Sequence, residues 1–424
     1  MSASAESAET LLVVSASRDA VPIIAGARRL GLRVVVCDGT PDAPGFRVAD
    51  AGLVAPVDDP DSVVEAARAF AARAPIAGVL AASLEVPCTV AAVADALRLS
   101  GPPLAAAAVV ADRLRTRRRL RDAGIAVPWS AAAPDVDALC RLASRRAGPV
   151  VVHPVERHAM GALCLGPRVD PAWAFAQAAF ASPSGRVMVE DLVQGPQIAV
   201  HALLLDGGMR LMVTGDRLLA AASAPFLVEE VIAWPSRHER ALERRIEALV
   251  AAAAAALGLR RGVLRASVAI GAEGPVLVAL ATGLGGGYAC THAIPLASGV
   301  DLLDAAVRIA CGADVTPAPA GRRGGRGVAC QTLFPPSGLV TEIAGVADAA
   351  ASEGVVAADV LIETRMRVDL ATTRRHAAGV VVAVGPTAAA ARDRAAAAAA
   401  RIRIVTRAAL VRSPVPAVEP RQTR

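Results

Sequence analysis

The stretch that decides the fold is Gly262-Val-Leu-Arg265-Ala-Ser267-Val-Ala-Ile-Gly-Ala-Glu273-Gly-Pro-Val-Leu-Val-Ala279-Leu-Ala281-Thr-Gly283-Leu-Gly285-Gly286-Gly287. Two apolar segments flank a turn at residues 271–275, and a glycine loop follows at once. The chain's longest uncharged run, from Glu273 to Asp301, overlaps it. That run exceeds the ~20 residues that span a bilayer. Its glycines, His292 and Pro295 break it, however, so it reads as strand, loop and helix start.

Composition supports a globular reading. Hydrophobic residues make up 54% of 424 residues, and the mean hydropathy is +0.47. A chain of this length holds two to four subdomains with ample core. No basic segment followed by an apolar one opens it, so no secretory signal is visible. Seven scattered cysteines without Cys-x-x-Cys spacing point to reduced thiols in a cytoplasmic protein, not to a metal site. The net charge is +6, but aromatics are only 2%. That removes the stacking platforms of a single-strand nucleic-acid binder, so neither nucleic acid nor membrane is an expected partner. The densest basic run, Arg115, Arg117, Arg118, Arg119 and Arg121, reads as a solvated helix face.

All 45 basic side chains are arginine, and the chain has neither lysine nor asparagine. A GC-rich genome explains both. It does not explain a missing glutamate, which has a GC-rich codon.

Strands at residues 11–14, 32–37 and 76–81 alternate with helices at 20–30, 62–73 and 86–97, which predicts βαβ units on a parallel sheet. The loop Ser100-Gly101-Pro102-Pro103 closes this part near residue 105. A helix over 107–123 follows, then strands at 150–154 and 186–190. A hairpin pairs 197–205 with 209–214 around Asp206-Gly-Gly208. A helix over 238–257 ends at Gly258. Beyond a Pro/Gly/Arg-rich linker at 317–327, residues 328–412 alternate strands and turns, with an alanine-rich helix after Pro386.

Several motifs stand in one order along residues 11–412. Asp38-Gly-Thr-Pro-Asp-Ala-Pro-Gly45 precedes Ala111-Asp112-Arg113. Leu120-Arg-Asp-Ala-Gly124-Ile-Ala-Val-Pro128 comes next, then Glu190-Asp191-Leu192-Val193-Gln194-Gly195-Pro196-Gln197, and last the 262–287 stretch. The series resembles the ATP-grasp superfamily, in its carboxylate–amine ligase and biotin-carboxylase-like branch.

The resemblance implies an α/β and α+β fold. A disordered leader at 1–10 precedes an N-terminal α/β domain (11–105). The ATP-grasp core (106–320) divides into lobes at 106–189 and 190–320, and a β-rich lobe (321–412) and a tail (413–424) follow. It also implies an adenine-nucleotide site. Arg113 and His153 stand where active members carry phosphate-binding lysines. Glu190, Asp191, Leu192 and Val193 form the adenine hinge, and Gln197 takes the place of a ribose-binding glutamate. Residues 155–161, with one glycine, correspond to the phosphate-covering loop.

The metal positions differ from the family pattern. Ser267 stands in the place of the first carboxylate, and Ala279, Ala281 and Gly283 replace Glu, Asn and Arg. Mg²⁺ needs hard oxygen ligands, so no metal ligand is expected and Mg²⁺ is not an expected cofactor. Arg265 remains as an anion-binding group, or alternatively as a solvent-facing strand residue. Glu190 is either a hinge residue or a solvated strand-end carboxylate, and His153 a nucleotide ligand or a locally bonded histidine. Three functions stay open. They are a nucleotide- or small-molecule-binding pseudoenzyme with weak, metal-independent affinity; an active ATP-dependent ligase forming an acyl phosphate; and a structural partner of an active ligase subunit or of its own copy in a homodimer.

Overall fold

The computed structural model describes residues 9–82, 84–156, 162–286, 288–313, 315, 326–373 and 376–407. Most of the expected leader, the tail, the greater part of the 317–327 linker, residues 157–161 and Gly287 lie outside that set.

The N-terminal part is a four-stranded parallel sheet in the order Ala51–Val54, Arg33–Asp38, Thr10–Val14, Ile76–Ala81. Its centre, Thr10–Val14, is buried at every position, as a parallel strand covered on both faces must be. The helices Val21–Arg29, Pro60–Ala71 and Pro87–Leu97 supply the cover. Asp59 caps the second by accepting from the backbone of Asp61 and Ser62, ahead of a proline in the first turn. The βαβ expectation holds here. The short edge strand Ala51–Val54 is an addition, too weakly alternating to be read from sequence.

The helix expected over 107–123 is two helices, Leu104–Val110 and Arg113–Asp122. Asp112 causes the break: its backbone is extended, and its carboxylate caps the second helix by accepting from Arg115 N at 2.9 Å. This second helix also corrects the reading of the basic run. Arg115, Arg118, Arg119 and Arg121 are exposed, but Arg117 is buried.

A small antiparallel sheet follows, in the order Ser130–Ala133, Val187–Asp191, Val150–Pro154, Leu163–Leu165. The helices Val136–Ser144 and Pro171–Ala181 pack on it around Leu139, Val152, Leu163, Ala178 and Val189.

The largest layer is an eight-stranded antiparallel sheet. Its order is Gly274–Thr282, Gly262–Gly271, Gln197–Leu205, Gly208–Leu219, Glu229–Trp234, Gly327–Leu333, Gly379–Gly385, Val355–Val360. Three C-terminal strands thus extend the sheet that begins with the 262–287 stretch, joined through Glu229–Trp234 and Gly327–Leu333. The helix Arg240–Ala256 covers one face, burying Ile246, Val250 and Ala253. A second small sheet sets Gly338–Ala344 between Arg367–Val368 and Arg403–Arg407. Among the described residues, no helix is long and apolar enough to cross a membrane.

Candidate functional site

The small sheet and the large sheet face each other across a cleft of about 240 Å³, with loops of the N-terminal domain at its rim. Side chains alternate across a strand with period two, so Gln197, Ala199 and His201 share one face of the large sheet. In the ladder, Arg265 lies opposite His201 and Ser267 opposite Ala199. On the next strand, Ala281 lies opposite Arg265 and Ala279 opposite Ser267. Arg265, Ser267, Ala279 and Ala281 therefore form a two-by-two patch on the cleft floor.

The patch offers one guanidinium and one hydroxyl, and no carboxylate. Among the described residues, no group of three or more His, Cys, Asp or Glu side chains is placed to hold a metal ion. Of the carboxylates that reach the cleft, Glu190 is bound to Arg117, Asp191 to Arg146, Glu229 to Arg217 and Glu85 to Arg265, while Asp19 also lines it and Glu85 Oε2 is buried without a hydrogen-bond partner among the described residues. The four floor residues by themselves do not supply the several oxygen ligands that an octahedral Mg²⁺ takes.

Arg265 does not face solvent. Its Nη2 lies 3.1 Å from Glu85 Oε1, and its Nε donates to Gly283 O at 3.2 Å. A Cβ on Gly285 would stand 2.7 Å from the arginine stem, at a φ of +76°, so only glycine lets the loop pass over it. Glu85 follows the strand Ile76–Ala81 of the N-terminal sheet, so the pair ties that sheet's carboxyl edge to the cleft floor.

Behind the small sheet is the most buried charge cluster in the cleft wall. Arg117 donates to Glu190 Oε2 from Nε at 3.0 Å and from Nη2 at 2.8 Å, and Nη2 also donates to Val278 O. His153 Nε2 lies 2.7 Å from Glu190 Oε1. An ionised carboxylate only accepts, so the imidazole proton sits on Nε2. His153 Nδ1 and Arg113 Nε then have no partner among the described residues. Glu190 is thus not solvated, which corrects the reading of it as a solvated strand-end carboxylate; the hinge reading, which uses its backbone, is unaffected. His153 is bonded across the sheet to a strand 37 residues away, not locally.

Burial works against the charge on Glu190, but Arg117, His153 and Arg113 together outweigh it and hold the carboxyl well below the usual range. Burial, opposed by Glu190 and reinforced by Arg113, lowers the His153 imidazole below its ordinary 6.5. Burial likewise lowers Arg113. Ionised Glu190 against Arg113 and Arg117, with His153 neutral, leaves one positive charge in excess at this end of the cleft.

These directions fix a pH dependence. In the unfolded chain His153 takes up a proton near 6.5, whereas the native state resists it, so the unfolded state binds more protons below that pH. Glu190 adds a second loss: its contribution is complete above the ordinary glutamate value of 4.5 and disappears as pH falls below it. The urea midpoint should therefore decline from about pH 6.5 downward and more steeply below about 4.5. His153→Asn should flatten the upper part of this decline. It should not abolish it, because burial lowers His292 as well.

Asp191, Leu192 and Val193 line the cleft beside this cluster. Asp191 N donates to Trp129 O at 3.0 Å and Leu192 N to Pro149 O at 3.1 Å. The Val193 N–H, the next along, has no partner among the described residues. Asp191 is clamped by Arg146 at 2.8 and 2.6 Å, and that guanidinium stacks 4.4 Å above the Trp129 ring. Asp191 and Leu192 are thus bonded to neighbouring segments, and Val193 lines the cleft.

Every sequence-derived candidate (Arg113, His153, Glu190 to Val193, Gln197, Arg265, Ser267, Ala279 and Ala281) lines this one cleft. Arg117, Glu85, Arg217, Glu229 and His201 were missed. For Arg117 a signal existed: Arg113, Thr116, Arg117 and Leu120 fall at i, i+3, i+4 and i+7, a buried stripe inside a basic run. For Glu85, whose partner is 180 residues away, there was none.

Comparison with known proteins agrees with this architecture. Residues 331–407 match the family model described as L-amino acid ligase C-terminal domain 2. A formate-dependent phosphoribosylglycinamide formyltransferase of Burkholderia thailandensis is 30% identical over 196 residues, 44% of this chain and 47% of the relative. The chain spans about half the length of the curated relatives it matches. Among solved structures, the L-amino acid ligase of Bacillus licheniformis superposes with a TM-score of 0.78 at 18% identity, over 94% of this chain and 99% of the other. The biotin carboxylase domain of 2-oxoglutarate carboxylase from Hydrogenobacter thermophilus, solved with MgADP, ADP and bicarbonate, gives 0.71 at 16% identity, over 94% and 90%. Sheet order, cleft and likeness over nearly the whole chain show that the protein has the fold of these ligase and carboxylase structures.

Proposed function

We propose that this protein is a nucleotide- or small-molecule-binding pseudoenzyme: it retains the ATP-grasp cleft and lacks metal-dependent phosphoryl transfer. One observation carries the reading. The floor patch at Arg265, Ser267, Ala279 and Ala281 holds no carboxylate, and Glu85, Glu190 and Glu229 beside it are each bound to an arginine. The base end of the cleft works through backbone groups of the hinge, which side-chain replacement leaves in place. The phosphate end keeps Arg113, buried and without a partner for Nε among the described residues. It can meet an anion, although as a planar guanidinium and not as a compact ammonium.

The test is a melting curve with ATP, ADP or adenosine at millimolar concentration, each with Mg²⁺ or with a chelator. A ligand at ten times its Kd stabilises the native state by about 1.4 kcal/mol. The expected result is a modest shift of similar size for all three, unchanged by the chelator. A shift for ATP that appears only with Mg²⁺ would overturn the reading in favour of an active ligase. No shift for any nucleotide would favour a structural partner.

A further inference from the structure

A second cavity, of about 100 Å³, lies apart from the cleft, and Leu84 is the residue common to both linings. It sits where three hydrophobic cores meet. Val79 and Val86 belong to the core of the N-terminal sheet. Leu204 and Leu264 belong to the core under the helix Arg240–Ala256. Ala306 and Ile309, on the helix Leu302–Ala310, belong to the core between the N-terminal sheet and the large sheet. None of these six side chains is more than 9% exposed. The polar side chains of the lining are Ser100, Arg261 and Thr282, each only partly buried, so they stand toward the mouth. No carboxylate among the described residues lines the cavity.

We infer that this junction is a binding site for a small uncharged molecule with an aryl or branched-alkyl body. Protein interiors are close-packed, with few voids larger than a water molecule. A buried water needs roughly two to four polar partners, and the six aliphatic side chains supply none. An engineered apolar cavity of roughly 150 Å³ stays dry and takes up benzene. The same physics applies here, where the walls are aliphatic and come from three separate cores. A charged body is excluded, because these walls leave a charge unpaired. A hydroxyl on the ligand, by contrast, can turn to the mouth and meet Ser100 or Thr282. The occupant touches the N-terminal sheet, the large sheet and the helix Leu302–Ala310 at once. The site is independent of whether the cleft binds a nucleotide.

Isothermal titration of the full chain with benzyl alcohol tests the assignment. A fragment of this size in a fitting apolar site should show a Kd on the order of 1 mM. Ala306→Leu adds apolar atoms at the wall of the space and should weaken binding roughly tenfold or more, since a filled void leaves the ring no room. Val90 also lines the cavity, from the helix Pro87–Leu97, and is only partly buried. Val90→Phe should have the same effect, and it serves where Ala306→Leu fails to fold. Absence of saturable binding by the wild type would overturn the inference, and that result needs neither variant. Equal affinity in the wild type and a folded, filled variant would overturn it too, because the alcohol would then sit on the outer surface.

Discussion

Replacing Glu190 with leucine should destabilise the native state by about 3–5 kcal/mol, the range for removing one partner of a buried ion pair. Glu190 is 1% exposed, and it accepts from Arg117 twice and from His153 once. Its removal strands the Arg117 guanidinium with only Val278 O, next to a second buried arginine, Arg113. Two cations would then share a low-dielectric wall with no anion between them. Domains of ordinary stability have about 5–15 kcal/mol in all, so this one substitution takes a large fraction. Equilibrium urea unfolding measures it. A loss below about 1 kcal/mol would mean that water reaches the cluster and that the charges are not buried as described. The double variant Glu190→Leu, Arg117→Met should be markedly less damaged than the sum of the two singles, because removing both charges removes the stranded cation.

Why this cluster stayed hidden in the sequence illustrates what a sequence can and cannot carry. The alternation of apolar strands and helices is local, and it placed the N-terminal parallel sheet, the small sheet's two central strands and the long hairpin. The 262–287 stretch was equally legible, because a turn, period-two alternation and a glycine loop are all features of neighbouring residues. Glu190 was not, since its partners lie 73 and 37 positions away. A carboxylate at the end of a strand reads as solvated until something is known to cover it. The same distance problem hid the union of Glu229–Trp234 with Gly327–Leu333, which joins the C-terminal strands to the large sheet. The break at Asp112 was hidden for a different reason. The flanking alanines and arginines have high helix propensity, and that masks a cap whose evidence is a single aspartate three residues ahead of the N–H it accepts.

Phosphate release from ATP should be absent, or slower by about a thousandfold or more than in a metal-bearing site of this fold. A metal clamp supplies several kcal/mol of transition-state stabilisation, and each ~1.4 kcal/mol is tenfold in rate. Metal-dependent release of ADP at ordinary ligase rates, with any carboxylate and amine pair, would refute the pseudoenzyme reading. The floor geometry also predicts what reconstruction can achieve. Ser267 and Ala279 face each other across one ladder rung, and Ala281 is two residues further along the same face. Ser267→Glu, Ala279→Glu and Ala281→Asn together would therefore set three oxygen donors side by side over the cleft. The triple variant should gain a Mg²⁺-dependent thermal shift that the wild type lacks. No Mg²⁺ response would mean that Arg265, the nearest cation, turns from Glu85 to neutralise the new carboxylates. Turnover should not return with the metal. On the proposed reading His153 occupies a phosphate-binding position, yet it is neutral near pH 7 and hydrogen-bonded to Glu190, and three new ligands on the floor leave that wall of the cleft unchanged.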